Sequence, residues 1–373
     1  MMSSHPAAGH GHGNGHGNIE VDPIWDNDDD STYESAGSGT SIGSITHSIH
    51  EYVFENGRRY HTYFGVDKYI IPTDEQERDR LDLNHEVLLQ QLRGELHGAP
   101  APKEPKRILD VGTGSGIWAI DMAEKYPDCE VLGIDLSPIQ PNWVPPNCRF
   151  EIDDAEEEWI HVDNSFDFIH MRNLNQGISH WDHVLSEAYR CAKPGTYLEL
   201  SESGQKFYSD DGSISGSSAM LSFTQKLGEA MLRIGRPPMS DGMQEAMLMR
   251  AGFVDIHSFT LKMVMGPWPK DARMKKIGIM NWAQSESAFQ AYSMAALTRI
   301  LGMSYEEADR ICREALDETK NKSKHVYLKH YVAYGRKPAG DERNTRKRKA
   351  REESPDSGDS GDSGKGSTLR GVR

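Results

Sequence analysis

A glycine-rich turn at residues 112–116 has the spacing in this chain that points most directly to chemistry. Glycines at positions 112, 114 and 116 follow the apolar run 108–111 and precede a helical pattern at 117–125. Such a turn lets a ligand contact bare backbone, with the N–H groups of the helix directed at it. The dinucleotide fingerprint G-x-G-x-x-G would need glycine where Ile117 stands. The spacing G-x-G-x-G after Asp110 instead favours a turn that binds S-adenosylmethionine (SAM).

Acidic residues end the strands that are predicted after this turn. Asp135 follows the apolar run 130–134, about 20 residues beyond the turn, where an acid can accept hydrogen bonds from a ribose diol. Asp153 and Asp154 end the next run and are candidates to meet an adenine amino group. Ligands of open α/β sheets bind at the carboxyl ends of the strands, so one cofactor site is predicted there. The candidate cofactor residues are Asp110, Gly112, Thr113, Gly114, Gly116, Asp135, Leu136, Asp153, Asp154, Ala155 and His170.

The fourth and fifth predicted strands supply the candidates for catalysis, which are His170, Arg172 and Glu202. Methyl transfer from a sulfonium needs mainly positioning in a dry pocket, and a base helps only where the accepting atom carries a proton. His170 is either that base or a structural histidine at a strand end. Arg172 could clamp a carboxylate or pair with Asp135 or Glu199. Glu199 and Glu202 face opposite sides of a strand, and Glu202, nearer the carboxyl end, is the better candidate to face the pocket.

Strands and helices alternate along most of the chain, which predicts an α/β fold with a mostly parallel, seven-stranded, Rossmann-like sheet and helices on both faces. This domain is predicted over 106–338, with the last strand antiparallel between the fifth and sixth by analogy with the fold class. Upstream, 44–105 is predicted to form a helix, a loop, a second helix capped near Asp74, and a proline-rich linker. We predict that this helical extension covers the cofactor site as a lid.

The two ends of the chain, 1–43 and 339–373, are polar and rich in Gly and Ser and are predicted to be disordered. The His-rich run 10–16 is interpreted as a flexible tail rather than a metal site. The basic cluster 346–351 is either a solvated charge run or an import signal, and it predicts a protein shared between nucleus and cytoplasm. Phosphorylation of Ser354 would weaken that signal by adding negative charge beside it.

Composition excludes several classes of function. The chain has 42 Lys and Arg against 57 Asp and Glu, a formal net charge of −15, which disfavours direct nucleic-acid binding by the whole body. No apolar run approaches the roughly 20 residues of a membrane helix, and the amino terminus lacks a secretory signal pattern. The four cysteines are scattered without a C-x-x-C pair, so we expect a reduced compartment, no disulfide and no metal site.

The runs 108–124, 133–141, 153–155 and 166–174 together resemble the fungal LaeA-like (UMTA-type) SAM-dependent methyltransferases. An upstream block, 55–85, lies outside the generic methyltransferase pattern and is the more specific marker. Two departures, Thr73 for a usual asparagine and Thr196 for a second glycine, do not touch the cofactor turn. The resemblance implies a nuclear regulator or a pathway enzyme of secondary metabolism and development. It also implies velvet-type regulators or a related methyltransferase as partners, and it leaves the methyl acceptor undefined, whether a small metabolite or a protein.

Three hypotheses about function follow. The first is an active SAM-dependent methyltransferase, and the second is a SAM-binding subunit that acts mainly through protein partners. Both need the same cofactor residues, so the sequence does not separate them. The third is a nicotinamide-dependent oxidoreductase, and Ile117 at the third glycine position of its fingerprint argues against it.

Overall fold

The computed structural model describes residues 17–22 and 51–340 of the 373-residue chain, so the basic cluster, Ser354 and the His-rich run lie outside the described residues. The strands are β1 (Tyr52–Glu55), β2 (Arg58–His61), β3 (Arg107–Val111), β4 (Glu130–Asp135), β5 (Cys148–Ile152), β6 (Phe166–Arg172), β7 (Ala192–Ser209), β8 (Val254–Val264) and β9 (Val326–Arg336). The helices are α1 (Glu75–Gln91), α2 (Ile117–Lys125), α3 (Trp181–Cys191), α4 (Ala219–Arg233), α5 (Met243–Ala251), α6 (Ala272–Ala295) and α7 (Tyr305–Thr319). A π-helical turn (Ala296–Ile300) extends α6.

The central sheet has seven strands in the order β5-β4-β3-β6-β7-β9-β8. The first five strands in this order pair in parallel, and β9 pairs antiparallel with both β7 and β8. This confirms the predicted mostly parallel sheet and the insertion of the last strand between the fifth and sixth strands of the core. The inner parallel strands β3 and β4 are mainly apolar and buried because both faces of the sheet are covered, whereas the edge strand β5 carries the exposed Arg149.

Helices cover both faces of the sheet, as alternate residues of β3 show. Ile108 packs in a buried cluster with Trp118 of α2, whereas Leu109 packs in a different cluster with Val184 and Leu185 of α3. Successive side chains of a strand point to opposite faces, so α2 and α3 lie on opposite sides of the sheet. The predicted arrangement of helices on both faces is therefore confirmed.

The region before the sheet differs in part from its prediction. The helix predicted to run through Tyr52 and Val53 is wrong, because β1 and β2 form an antiparallel hairpin there. Its turn is Asn56-Gly57, with φ of +53° and +75°, a dipeptide that tight hairpin turns prefer because both residues take positive φ. The second predicted helix, α1, is confirmed, with the carboxylate of Asp74 accepting from the N–H of Glu77 at its amino end.

Residues 17–22 are ordered, so the predicted disorder of 1–43 does not hold for this segment. The N–H of Asp22 donates to the carbonyl of Trp268 at 2.7 Å, and Val21 forms an antiparallel bridge with Pro269. Ile19 and Val21 pack against the buried cluster that contains Trp268. These two alternating apolar residues bury enough surface to hold a short segment that is otherwise polar.

The four cysteines are buried free thiols, which agrees with the prediction of no disulfide. Among the described residues, no group of His, Cys, Asp and Glu side chains could hold a metal ion. In the same part of the chain, no helix combines the length and the apolar character that crossing a bilayer requires.

Candidate functional site

A cavity of about 880 Å³ lies at the carboxyl ends of β3, β4, β5 and β6, and we call it the first cavity. Eight of the eleven predicted cofactor residues line it, and they are Gly112, Thr113, Gly114, Asp135, Leu136, Asp153, Asp154 and Ala155. Four further lining residues, Lys68, Tyr69, Leu81 and Asn84, come from the region upstream of the sheet. The edge of the sheet predicted from the strand ends is therefore the edge that carries this cavity.

The glycine turn takes a backbone conformation that other residues rarely adopt. Gly112, Gly114 and Gly116 have φ of +66°, +57° and +82°. A Cβ on Gly112 would lie 2.1 Å from Leu174, and one on Gly116 would lie 2.4 Å from the ring of Phe150. Gly116 does not line the first cavity but precedes the first residue of α2, so its glycine serves the strand-to-helix turn itself.

Asp135 supports the turn as well as lining the cavity. One carboxylate oxygen accepts from the N–H of Gly114 at 2.8 Å, and the other accepts from the N–H of Ser137 at 2.9 Å. Burial raises the pKa of Asp135 to about 6, so the group is ionised at neutral pH. A carboxylate has about four lone-pair sites, which leaves capacity for a ligand diol. The side-chain amide of Gln140 donates to the carbonyl of Gly114 at 2.7 Å and holds the turn from the other side.

The two predicted adenine-facing acids have different surroundings. Lys68 lies 2.6 Å from Asp154 and 3.0 Å from Glu156, so the charge of Asp154 is paired with a residue of the upstream region. Asp153 forms no ion pair with any described residue, and burial raises its pKa. Asp153 is thus the better candidate to accept a hydrogen bond from the adenine amino group. The ion pair between Asp154 and Lys68 forms part of the wall of the first cavity.

The structure contradicts the prediction that His170 is a base or a cofactor contact, because His170 is buried inside the sheet layer and does not line the cavity. Its Nδ1 lies 2.8 Å from Asp110, and its ring stacks on Trp118 with centroids 3.8 Å apart. Burial lowers the pKa of His170 to about 4. Asp110 also accepts from the hydroxyl of Thr113 at 2.6 Å. Asp110 therefore supports the glycine turn from within the sheet, and His170 supports Asp110 in turn. This placement favours the alternative interpretation of His170 as a structural histidine.

Arg172 lines the first cavity but has a partner that the sequence did not indicate. One of its guanidinium nitrogens donates to Nδ1 of His85 at 3.1 Å, and Nε2 of His85 lies 2.9 Å from Asp121. Because Nδ1 accepts, the proton of the neutral ring is on Nε2, which donates to Asp121. Within the described part of the chain, Arg172 forms no ion pair with Asp135 or Glu199, so that expectation is wrong.

A second cavity, of about 990 Å³, adjoins the first and shares Asn84 and Asn173 with it. Its walls come mainly from β7 and from elements that follow β7 in the chain, including α4, β8 and α6. The apolar lining consists of Phe207, Phe223, Leu227, Met263, Met265, Ala288, Phe289 and Leu328. Sequence analysis did not find this cavity, because no local pattern marks it.

Glu202 lines the second cavity, whereas Glu199 borders neither cavity. The carboxylate of Glu202 accepts from the N–H groups of Leu174 and Asn175, at 2.8 and 3.1 Å. Burial raises its pKa to about 8. Glu199 instead accepts from the N–H groups of Gly98 and Ala99 and so anchors the linker before β3.

Asn173 stands at the junction of the two cavities in a left-handed conformation, with φ of +57°. Its side-chain oxygen accepts from the hydroxyl of Ser203 at 3.1 Å. That hydroxyl lies 3.0 Å from Nδ1 of His330, whose Nε2 lies 2.8 Å from Ser201. Burial lowers the pKa of His330 to about 3, so the ring is neutral. The network fixes the orientation of the Asn173 amide, and within the described residues no hydrogen bond is formed by its NH₂ group.

The first cavity fits SAM. Its floor is a glycine turn in which a Cβ on Gly112 would meet Leu174, and its rim carries an ionised acid, Asp135, with unused lone pairs. A close approach to the backbone of the turn, an acceptor for a diol and an acid near the next strand are what an adenosine requires.

Comparisons with known proteins agree with this site. A family model described as a methyltransferase domain matches residues 83–237. The chain is 34% identical over 305 residues to Methyltransferase pytC of Aspergillus terreus, covering 82% of this chain and 94% of that protein. It is 35% identical to the secondary metabolism regulator LAE1 of Cochliobolus heterostrophus, covering 80% and 99%, and 36% identical to the secondary metabolism regulator laeA of Aspergillus flavus, covering 81% and 82%. The chain belongs to the LaeA-like family of SAM-dependent methyltransferases.

Proposed function

We propose that this protein transfers the methyl group of SAM to a small, largely apolar acceptor that binds in the second cavity. The observation that carries the proposal is the junction at Asn84 and Asn173, where the two cavities meet. In-line transfer requires the accepting atom to lie directly beside the methyl group. A cavity that shares two wall residues with the cofactor site is near enough to hold such an acceptor.

Bound SAM supplies an electrophilic methyl group on a positively charged sulfur. The backbone of the turn, Asp135 and Asp153 are the groups of this chain that would hold it. Tyr69 and Leu81, from the upstream region, contribute to the wall. A dry site favours the reaction, because the positive charge disperses as the methyl group leaves sulfur.

Glu202 is the group best placed to take a proton from the acceptor. It is 1% exposed, lines the second cavity, and is held by the turn that also carries Asn173. A carboxyl with a pKa of about 8 is a stronger base than an ordinary carboxylate once it is ionised. For a hydroxyl acceptor, the bond from oxygen to the methyl carbon forms, the bond from carbon to sulfur breaks, and the proton passes to Glu202.

The second cavity favours a small molecule over a protein side chain. Its lining is mostly apolar with a few polar groups, which is typical of small-molecule sites. Two of the relatives are named as regulators of secondary metabolism and one as a methyltransferase. We therefore place the acceptor among secondary metabolites or their precursors.

The test is to incubate the full chain with methyl-labelled SAM and an extract of the source cells, and to separate protein from extractable small molecules. We expect label among the small molecules. Ala288→Phe places a ring in the second cavity and should abolish this label while SAM affinity is kept. The matched control Ala283→Phe changes an exposed position on the same helix and should leave both unchanged.

Two outcomes would contradict the proposal. Label that enters only protein would identify a protein acceptor. SAM binding without label in either fraction would favour the rival function, a SAM-binding subunit that acts through protein partners such as velvet-type regulators.

A further inference from the structure

The second cavity combines an aromatic wall with a small number of polar atoms. Phe289 lies between two other rings, 6.1 Å from Phe207 in a stacked arrangement and 4.8 Å from Phe223. Met263 and Met265, also in the lining, adapt to irregular apolar shapes. This wall suits a flat, apolar ligand body.

Four buried amide oxygens among the lining residues accept no hydrogen bond from any described residue, and they belong to Asn175, Gln176, Gln205 and Gln284. Oδ1 of Asn175 and Oε1 of Gln284, in side chains that are at least nine-tenths buried, are the two whose amide NH₂ groups donate to identified partners. The NH₂ group of Asn175 is committed to the carbonyl of Pro237 at 3.0 Å, and that of Gln284 to the side-chain oxygen of Asn281 at 2.8 Å.

These hydrogen bonds determine whether the oxygen or the nitrogen of each amide has no partner. Asn281 itself donates to the carbonyl of Val264 at 2.9 Å, so its oxygen must face Gln284, and Gln284 must present its nitrogen. The unpaired atom is therefore an acceptor at both positions. A buried acceptor without a donor is destabilising, and a ligand or an ordered water can offset that cost.

The charges of the lining disfavour an anionic ligand. Arg80 makes a two-point ion pair with Glu77, at 2.6 and 2.9 Å, and lies over the ring of Tyr292. Lys329 is 2.7 Å from Asp241. Both cations among the lining residues are thus already paired. Glu202, with a pKa of about 8, is largely protonated at neutral pH, and its carbonyl oxygen still adds an acceptor.

We infer that the methyl acceptor is an uncharged, flat and largely apolar molecule that presents O–H or N–H donors to Asn175, Gln284 and Glu202. This inference rests on the proposed function, because it assigns the second cavity to the acceptor. It adds the chemistry of recognition, in which the protein supplies acceptors and the ligand supplies donors. A hydroxyl that donates to Glu202 is then also the group whose proton Glu202 can take.

The test uses three probes built on one ring: 1,3-dihydroxynaphthalene, 1,3-dimethoxynaphthalene and naphthalene-1,3-dicarboxylate. Calorimetry with the full chain and S-adenosylhomocysteine measures their affinities. We expect the dihydroxy probe to bind about tenfold or more tightly than the dimethoxy probe, since each satisfied buried acceptor is worth about one such factor. The dicarboxylate is expected to bind weakest.

Variants test whether the preference for the dihydroxy probe depends on the side-chain oxygen of Gln284. Gln284→Met keeps the length of the side chain but removes the acceptor, and it should reduce the ratio between the dihydroxy and dimethoxy affinities several-fold. Glu286→Met, an exposed position on the same helix, should leave the ratio unchanged. Circular dichroism verifies that each variant is folded.

Equal affinity for the dimethoxy probe would show that ordered water satisfies the amide oxygens and would overturn the inference. So would tightest binding of the dicarboxylate, or failure of all three probes to bind. None of these results bears on whether labelled methyl groups reach small molecules of the extract, so failure of the inference is distinguishable from failure of the proposed function.

Discussion

Replacing Glu202 by glutamine tests the raised pKa on which its role as proton acceptor depends. Burial raises this pKa from an ordinary 4.5 to about 8. Between these two values the unfolded chain has released a proton that the folded chain still holds. Over this range, Glu202 therefore lowers the free energy of unfolding by about 1.4 kcal/mol for each unit that the pH rises. The stabilisation that protonated Glu202 gives at low pH is lost as the pH rises through 8.

Glutamine has nearly the same shape but does not titrate, so Glu202→Gln lacks this dependence. From pH 5 to pH 8 the stability of the unchanged chain relative to the variant should fall by about 4 kcal/mol, an order-of-magnitude figure from the pKa difference. Other buried groups, such as Glu199 and Asp135, are present in both proteins and cancel. Urea unfolding at pH 5, 6.5 and 8 measures the difference.

The matched control Glu286→Gln removes an exposed carboxyl from α6, and its stability should run parallel to that of the unchanged chain. A difference between Glu202→Gln and the unchanged chain that does not vary with pH would mean that Glu202 is ionised in the folded protein. The argument for Glu202 as a strong base would then fail.

Three further predictions concern the cofactor and the location of the protein. Gly114→Val forces a branched residue into φ of +57° with its Cβ about 3.2 Å from Leu81, and calorimetry should show SAM affinity lost; unchanged affinity would remove the turn from the site. Asp135→Ala should weaken SAM binding by about 1–3 kcal/mol, and no change in Kd would refute its contact with the ligand. Alanine at Lys347, Arg348 and Lys349 should strip a fluorescent fusion from the nucleus while SAM affinity stays; persistent nuclear signal would mean that the cluster is not the import signal.

The strand and turn elements were predictable because their signals are local. The apolar runs of the parallel strands, the glycine spacing and the acid at Asp135 each occupy a few consecutive residues, and the fold brings their ends together by a general rule. The capping of α1 by Asp74 is equally local. The predicted lid over 44–105 stays a prediction, although Tyr69, Leu81 and Asn84 of that region line the first cavity.

Three features were missed for physical reasons. The apolar spacing around Tyr52 predicted a helix, whereas the Asn56-Gly57 turn that follows it joins two strands of a hairpin. The side-chain direction of His170 depends on which face of β6 it occupies, and the strand end alone does not determine that. The second cavity is built by residues such as Asn84, Asn173 and Gln284, which lie far apart in the chain, so no window of sequence contains it.

A crystal structure with S-adenosylhomocysteine and an acceptor isolated from the extract tests most directly the claim that the two cavities form one reaction site. We expect the adenosine beside Asp135 and Asp153, the sulfur at the junction near Asn173, and the accepting atom in the second cavity between that sulfur and Glu202. An adenosine outside the first cavity, or an acceptor bound elsewhere than the second, would contradict the claim.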